Sequence, residues 1–406
     1  MMKKIAPPAP WPVFAEDEIA AVTEVLRSGK VNYWTGDLCR QFERAYAAYV
    51  DTKHAVAVAN GTVALELALY ALGIGPGDEV ITPSRTYIAS ASCAVVRGAV
   101  PVVVDVDPVS QNICPAAIRA ALTPRTRAIV VVHLAGWPCD MDPIMEIARE
   151  FDLKVIEDCA QAHGAMYRGM PVGSIGHAAA FSFCQDKIIS TGGEGGMMTT
   201  NDDGVWERAW AYKDIGRSYD AVYRREHPPG FRWLTESFGT NWRMTEMQAA
   251  IGLLQLAKLE GWVSQRTEFA QALARLFGAI PAVRLTVPPP HIRHAYYKYY
   301  VFVQPQLLAA GWDRDRIVGA LNERGVPCFT GSCSEIYLEK AFDAVPTRPR
   351  ERLPVARALG ETSLMFVVHP TLEAAWMEQV CGAIGEVFAL ASAGVRAPAL
   401  TAEAGK

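Results

Sequence analysis

A chain of 406 residues, 50% hydrophobic and 20% charged, is long enough for one large core and a second, smaller one. Its formal net charge of −4 lacks the basic excess that a general nucleic-acid binder carries. No stretch approaches the roughly 18 uninterrupted apolar residues of a membrane-spanning helix, so no span is expected.

Residues 1–12 are broken by prolines and lack an apolar segment, so they do not read as a secretory signal. Residues 16–28 carry Ile19, Val22, Val25 and Leu26 on one helical face, and Gly29 supplies a stop. The aromatic turn of Tyr33, Trp34 and Thr35 follows, either a packing cluster or an approach to a ligand. Residues 55–58 read as a strand that runs into Asn60, Gly61 and Thr62 and then a helical stretch at 63–72. Strand, glycine-containing turn and helix N-terminus leave free N–H groups at the positive end of a helix dipole, which is an anion site of a kind suited to phosphate. Short apolar strands are expected at 80–82, 101–104, 128–132, 154–157 and 179–184, with helix-length segments such as 88–96 and 143–151 between most of them. That alternation predicts an α/β fold with a mainly parallel sheet flanked by helices.

The strand at 154–157 ends in Asp158, followed by Gln161 and His163. A carboxylate at the C-terminal end of a buried strand sits where open α/β sheets bind ligands, and it is costly there without a cation. A protonated pyridine nitrogen would be one, although Asp158 could instead cap the segment after it. The next apolar run leads through Ser182 to Lys187 and then to Thr191, Gly192, Gly193, Glu194, Gly195 and Gly196. A lysine held at the end of a buried strand by a tight loop is a Schiff-base candidate. Phosphate cradle, acidic partner and amine together match what pyridoxal 5'-phosphate requires of a protein.

Residues 245–248 fit a capping box opening a helix whose stripe of Ala249, Leu253 and Leu256 runs toward Trp262. Beyond it, a strand at 296–303 and helices near 314–324 and 372–389 make a small C-terminal α+β domain. The expected division is a large cofactor-binding domain at 1–260, a small domain at 261–391 and a frayed tail at 392–406, rich in Ala, Gly and Pro. Nine cysteines without a Cys-x-x-Cys pair read as reduced thiols of a cytoplasmic protein. Cys328 and Cys333 have no second pair or nearby histidine to complete a zinc site, so no metal is expected.

From Trp11 to about Ala389 the chain resembles the sugar aminotransferases of the DegT/DnrJ/EryC1/StrS group, which have the fold-type-I architecture of aspartate aminotransferase. The segments that carry the resemblance are Asn60-Gly61-Thr62-Val63-Ala64-Leu65, Gly77-Asp78-Glu79-Val80-Ile81-Thr82-Pro83, Ile156-Glu157-Asp158-Cys159-Ala160-Gln161-Ala162-His163, Phe181-Ser182-Phe183 before Lys187, and Asn241-Trp242-Arg243-Met244-Thr245-Glu246. The resemblance implies that Lys187 forms the Schiff base and shuttles the proton, that Asp158 pairs with the pyridine nitrogen, and that Gln161 approaches the ring hydroxyl. It implies that Gly61, Thr62 and Ser182 hold the phosphate, that Tyr87 stacks on the cofactor, and that Asn241 crosses to the phosphate of a neighbouring subunit in a homodimer with shared active sites. Read from the residues alone, Tyr87 could be a core aromatic, and Gln161 and Ser182 ordinary strand-end polar groups.

The reaction so implied converts a nucleotide-linked keto-sugar to an amino sugar for a polysaccharide or natural product, with glutamate as amino donor and a pyridoxamine 5'-phosphate form during turnover. A subgroup that removes a hydroxyl has histidine in place of the lysine, and here the residue is Lys187. Glutamine-dependent amination of a keto-cyclitol and a non-catalytic regulatory protein on the same fold are the alternatives. The chain departs from the group at 328–335, where Cys-Phe-Thr-Gly-Ser-Cys-Ser-Glu stands in place of a His-Tyr segment, and at Cys184-Gln185-Asp186 before the lysine. Both departures bear on which sugar is bound, as would contacts from Tyr33, Trp34, Thr35 and Arg243.

Overall fold

The structure is a computed structural model and describes residues 4–392. The tail expected at 392–406 lies outside the described residues from 393 onward.

Helices α1 (Glu16–Ser28) and α2 (Leu38–Tyr49) precede the main sheet. As expected, α1 stops at Gly29, which takes the left-handed conformation at φ 66° that glycine adopts without steric cost. Then come β1 (His54–Val58), α3 (Gly61–Ala71), β2 (Glu79–Pro83), α4 (Ala89–Val96), β3 (Val100–Val104), α5 (Pro115–Ala120), β4 (Thr126–Val132), α6 (Met141–Glu150) and β5 (Lys154–Asp158). Two short strands, β6 (Met166–Tyr167) and β7 (Met170–Pro171), lead to β8 (Ala178–Ser182), β9 (Gly196–Thr200), α7 (Asp203–Lys213) and α8 (Tyr219–Tyr223).

Seven of these strands form one sheet in the order β1-β9-β8-β5-β4-β2-β3. It is parallel throughout except that β9 runs antiparallel to both its neighbours. In β4, Val130 and Val132 join the core under α3 and α4, whereas Ile129 and Val131 join the opposite core under α6. Burial on both faces is why this strand reads as a continuous apolar run.

Helix α9 (Glu246–Gly278) opens with the expected capping box, the Thr245 and Gln248 side chains each meeting the other's backbone N–H. It runs unbroken through the boundary expected at 260. Leu259 and Val263 belong to the core that holds Tyr46 and Phe181, and Ala270, Leu273 and Phe277 belong to the next core. That second core packs against the antiparallel sheet β10-β12-β14-β13, made of β10 (Val283–Arg284), β12 (Tyr299–Val303), β13 (Cys328–Phe329) and β14 (Ser363–Phe366). Strand β11 (Ile292–Arg293) pairs instead with β6. The run at 296–303 is shorter as a strand than expected because Tyr296 has φ 48°, which breaks the extended backbone. Helices α10 (Arg314–Glu323), α11 (Pro354–Thr362) and α12 (Ala374–Ala391) complete this part. Ile5 also joins the second core and donates its N–H to the Arg324 carbonyl at 2.8 Å, so the N-terminal segment is shared between both halves. Among the described residues no helix is long and apolar enough to cross a membrane.

Candidate active site

The C-terminal ends of β1, β5 and β8 converge on one side of the sheet, where parallel strands point their free carbonyl ends and the following loops. After β1, Asn60 caps α3 by accepting from the Val63 N–H at 3.0 Å, and its carbonyl takes the Ala64 N–H. The N–H groups of Gly61 and Thr62 are thereby left open at the helix's positive end. A Cβ on Gly61 would lie 2.6 Å from the Ser182 Cβ, so only glycine lets the turn close against the end of β8. Gly61→Ala is accordingly expected to separate these two walls and weaken cofactor binding by about 10- to 100-fold, the equivalent of a typical overpacking strain. A spectroscopic titration of apoprotein with pyridoxal 5'-phosphate measures it.

Ser182 is held from behind. His163 sits on the turn after Asp158, and its Nε2 donates to the Ser182 carbonyl at 2.9 Å while its Nδ1 accepts from the Tyr46 hydroxyl at 2.7 Å. Burial holds this imidazole neutral, at a pKa of about 4, as the bonding requires. The Ser182 hydroxyl accepts the Cys184 N–H at 3.3 Å and keeps its own proton for a ligand.

Asp158 is buried at the end of β5. Its Oδ2 accepts from the Ser90 hydroxyl at 2.7 Å, and Ser90 meets the Thr86 hydroxyl at 2.8 Å. Its Oδ1 accepts the Ala160 N–H at 3.2 Å, the capping bond also considered from the sequence. Burial raises its pKa above the usual carboxyl value, against the bonds from Ser90 and Ala160 and the charge of Lys187. A carboxylate in that condition lacks a cation, and a pyridinium nitrogen is one that fits. Gln161 gives its amide oxygen to the Ala135 N–H at 2.7 Å, which aims the open NH₂ donors elsewhere.

Lys187 lies in the loop after β8. Its carbonyl accepts from the Trp11 indole at 2.9 Å, fixing the backbone. Its ammonium lies 5.1 Å from the Tyr297 ring centroid and, among the described residues, has no hydrogen bond or ion pair. Tyr87 is 69% exposed at the turn before α4, so its ring is free to stack and is not the core aromatic of the alternative reading. Asn241 is exposed, and among the described residues only its backbone pairs, with Asp214.

The rim residues divide differently from expectation. Tyr33 is 1% exposed, its hydroxyl bonded to Glu43 and Trp210 and its ring covered by the Lys213 ammonium at 3.5 Å, so the packing alternative holds for it. The Trp34 indole donates to Asp214 at 3.2 Å and Arg243 forms an ion pair with the same buried carboxylate, which commits both side chains within the chain. Thr35 is exposed. Ser90, Asn60 and His163 were not singled out for these positioning roles. Their partners are far away in sequence or act through backbone groups, although Asn60 before a helical run is a legible cap.

Among the described residues, one group could offer three ligands to a metal: His133, Glu157 and Cys159. His133 Nδ1 accepts the Cys139 N–H and its Nε2 faces Glu157 at 3.0 Å, while Glu157 accepts three further N–H groups, from Gly173, Ile175 and Gly176. These donors and acceptors are already satisfied, which is the pattern of a structural knot behind β5.

The DegT/DnrJ/EryC1/StrS aminotransferase family matches across residues 12–385. The solved aminotransferase from Psychrobacter cryohalolentis is 56% identical and superposes with a TM-score of 0.93 over 94% of this chain and 99% of that one. GDP-perosamine synthase of Caulobacter vibrioides is 41% identical over 357 residues, 86% of this chain and 89% of that protein. The dTDP-3-amino-3,4,6-trideoxy-alpha-D-glucose transaminase of Streptomyces venezuelae is 36% identical over 367 residues, 90% and 91% of the two chains. With the family match across residues 12–385 and relatives that are sugar transaminases, the chain belongs to the DegT/DnrJ/EryC1/StrS family and is a pyridoxal-phosphate-dependent aminotransferase.

Proposed function

We propose that this protein transfers the amino group of glutamate to the keto group of a nucleotide-linked sugar, making an amino sugar for a surface polysaccharide or natural product. The observation that carries the reading is a Lys187 ammonium, without a hydrogen bond or ion pair among the described residues, whose charge reaches the buried Asp158 at the same end of the sheet as the open N–H groups of Gly61 and Thr62. Pyridoxal phosphate, when bound, supplies a conjugated ring that accepts the electron pair left on the reacting carbon.

The chain supplies the rest. Gly61, Thr62 and Ser182 hold the phosphate, and the neutral His163 keeps Ser182 in place. Asp158, oriented by Ser90 and Ala160, keeps a proton on the ring nitrogen. The NH₂ of Gln161 donates to the ring hydroxyl, and Tyr87 covers the ring face. Lys187 Nζ would take the proton from the donor's α-carbon and pass it to the cofactor side, where the amino group stays, and a water molecule would supply the oxygen with which 2-oxoglutarate leaves. In the second half Lys187 Nζ delivers a proton to the former carbonyl carbon of the sugar. Asn241 serves the phosphate of a second copy. A homodimer of this kind would cover Phe231, Trp233 and Phe238, which are 79%, 83% and 98% exposed in the single chain. The free state of all nine cysteines suits the reducing cytoplasm.

The relatives act on GDP-linked and dTDP-linked sugars according to their names, so both nucleotides belong in the test. Cofactor-loaded protein is mixed with glutamate, the visible band is followed to the shorter-wavelength amine form, and GDP- and dTDP-linked keto-sugars are then offered, with mass spectrometry of the product. Return of the visible band with formation of an amino sugar is expected. Protein that takes up no cofactor, or whose band does not respond to glutamate, would refute the proposal, and a response to glutamine alone would favour the glutamine-dependent alternative.

A further inference from the structure

Positive charge gathers around Lys187 beyond what the cofactor residues explain. Lys298, just before β12, holds its ammonium 4.7 Å from the Tyr297 ring centroid, against 5.1 Å for Lys187. The two ammonium groups are therefore no further apart than the sum of those distances. Arg266 on α9 is buried beneath the same residue. Its Nη1 donates to the Tyr297 carbonyl at 3.2 Å, and its buried Nε and Nη2 have no hydrogen-bond partner. Among the described residues neither lysine ammonium has a hydrogen bond or an ion pair. Asp186 is the carboxylate whose charge reaches Lys298 and Arg266, and it accepts from the Tyr297 hydroxyl. Burial, with Arg266 and Lys187 nearby, lowers the Lys298 pKa to about 8. A half-buried lysine without a bonded counter-charge is uncommon in a finished site.

The anion that would balance this cluster can be narrowed by reach. Under the function proposed above, on which this inference rests, the cofactor's phosphate is provided for at the start of α3. The donor's α-carbon must come within about 3–3.5 Å of Lys187 Nζ for proton transfer. The α-carboxylate is bonded directly to that carbon, so it arrives beside Lys187 by necessity. A nucleotide sugar carries its phosphates through the anomeric oxygen and not on the reacting carbon itself, so their charge is held further from Lys187 than the donor's α-carboxylate. We infer that Lys298 anchors the α-carboxylate of the amino donor and sets donor affinity in the first half-reaction.

The test compares cofactor-loaded wild type, Lys298→Met and Lys298→Arg by following the visible band as glutamate is titrated. Wild-type band position in both variants shows that fold and cofactor site are intact. For Lys298→Met the dissociation constant for glutamate should rise about 10- to 100-fold, the equivalent of one lost charge-assisted bond, with Lys298→Arg recovering most of it. Protein loaded with pyridoxamine phosphate should still react with the keto-sugar at the wild-type rate. Unchanged glutamate affinity in Lys298→Met would overturn the inference. So would a defect confined to the sugar half-reaction, which would make the anchored group a phosphate, or loss of the cofactor band. A wild type that ignores amino donors altogether would instead refute the aminotransferase reading itself.

Discussion

Lys187→Ala will leave a folded protein that binds pyridoxal phosphate without the visible band and whose turnover is at least about 10⁴-fold below wild type, because one nitrogen serves both as the covalent anchor and as the proton carrier. The side chain makes no hydrogen bond or ion pair among the described residues, and the backbone is held separately through Trp11. Removing it should therefore change stability by less than about 0.5 kcal/mol. Small primary amines added to the variant should restore part of the rate, since they can replace the lost proton carrier but not its position. Thermal melts, the absorption spectrum and amine rescue together check this. A variant that retains more than a small fraction of wild-type turnover would place the chemistry on another residue.

Asp158→Asn should divide stability from catalysis. The amide can keep the local bonds: its oxygen accepts the Ala160 N–H, and its NH₂ donates to Ser90, which then turns its hydroxyl toward Thr86. What it cannot do is hold a proton on a ring nitrogen through an ionic bond, so kcat/KM should fall by about 10²- to 10⁴-fold, in the range of one misplaced proton or one lost electrostatic partner. The apoprotein should move the other way. Because the folded Asp158 has a raised pKa, its contribution to stability is fully favourable only below its unfolded value and is lost as pH rises through the folded one. At neutral pH the apo site therefore carries a penalty that asparagine removes. Melting temperatures at pH 7 should be higher for the apo variant than for apo wild type, and the stabilisation gained on adding cofactor should be smaller. Equal cofactor stabilisation in the two would mean that Asp158 does not face the ring nitrogen.

The strands that carry these residues were legible because each is apolar on both faces, and their ends announced themselves as Asn60-Gly61, Asp158 and Ser182. Lys187 was legible by its glycine-rich loop. Ser90 was not, since its contact with Asp158 joins positions that share no local pattern and is visible only once α4 is laid beside β5. Lys298 was hidden inside an aromatic run at 296–303 that read as uninterrupted strand; Tyr296, turned to positive φ, delays the strand so that Lys298 precedes it. For Tyr33 the sequence left packing and an approach to a ligand both open, and the long-range partner Lys213, itself buried, draws the ring inward into packing. Strand β9 left no mark either, because it begins at Gly196 inside the glycine-rich run, although it pairs antiparallel with the strand just before it, β8.

Helix α9 gives the two sheets a common axle. Its 33 residues extend about 50 Å at the α-helical rise, with the first half locked into the core around Tyr46 and the second into the core around Phe366. Swinging one half of the molecule against the other would mean bending that rod against packed side chains, and no proline or helix-breaking kink within it offers a joint. The two halves are tied a second time between 84–87 and 330–336, where the Thr86 N–H donates to the Cys333 carbonyl and the Ile336 N–H to the Ser84 carbonyl. The two halves are thus braced at two separate places, along the helix and across these backbone bonds, which makes them one frame rather than a pair of hinged lobes.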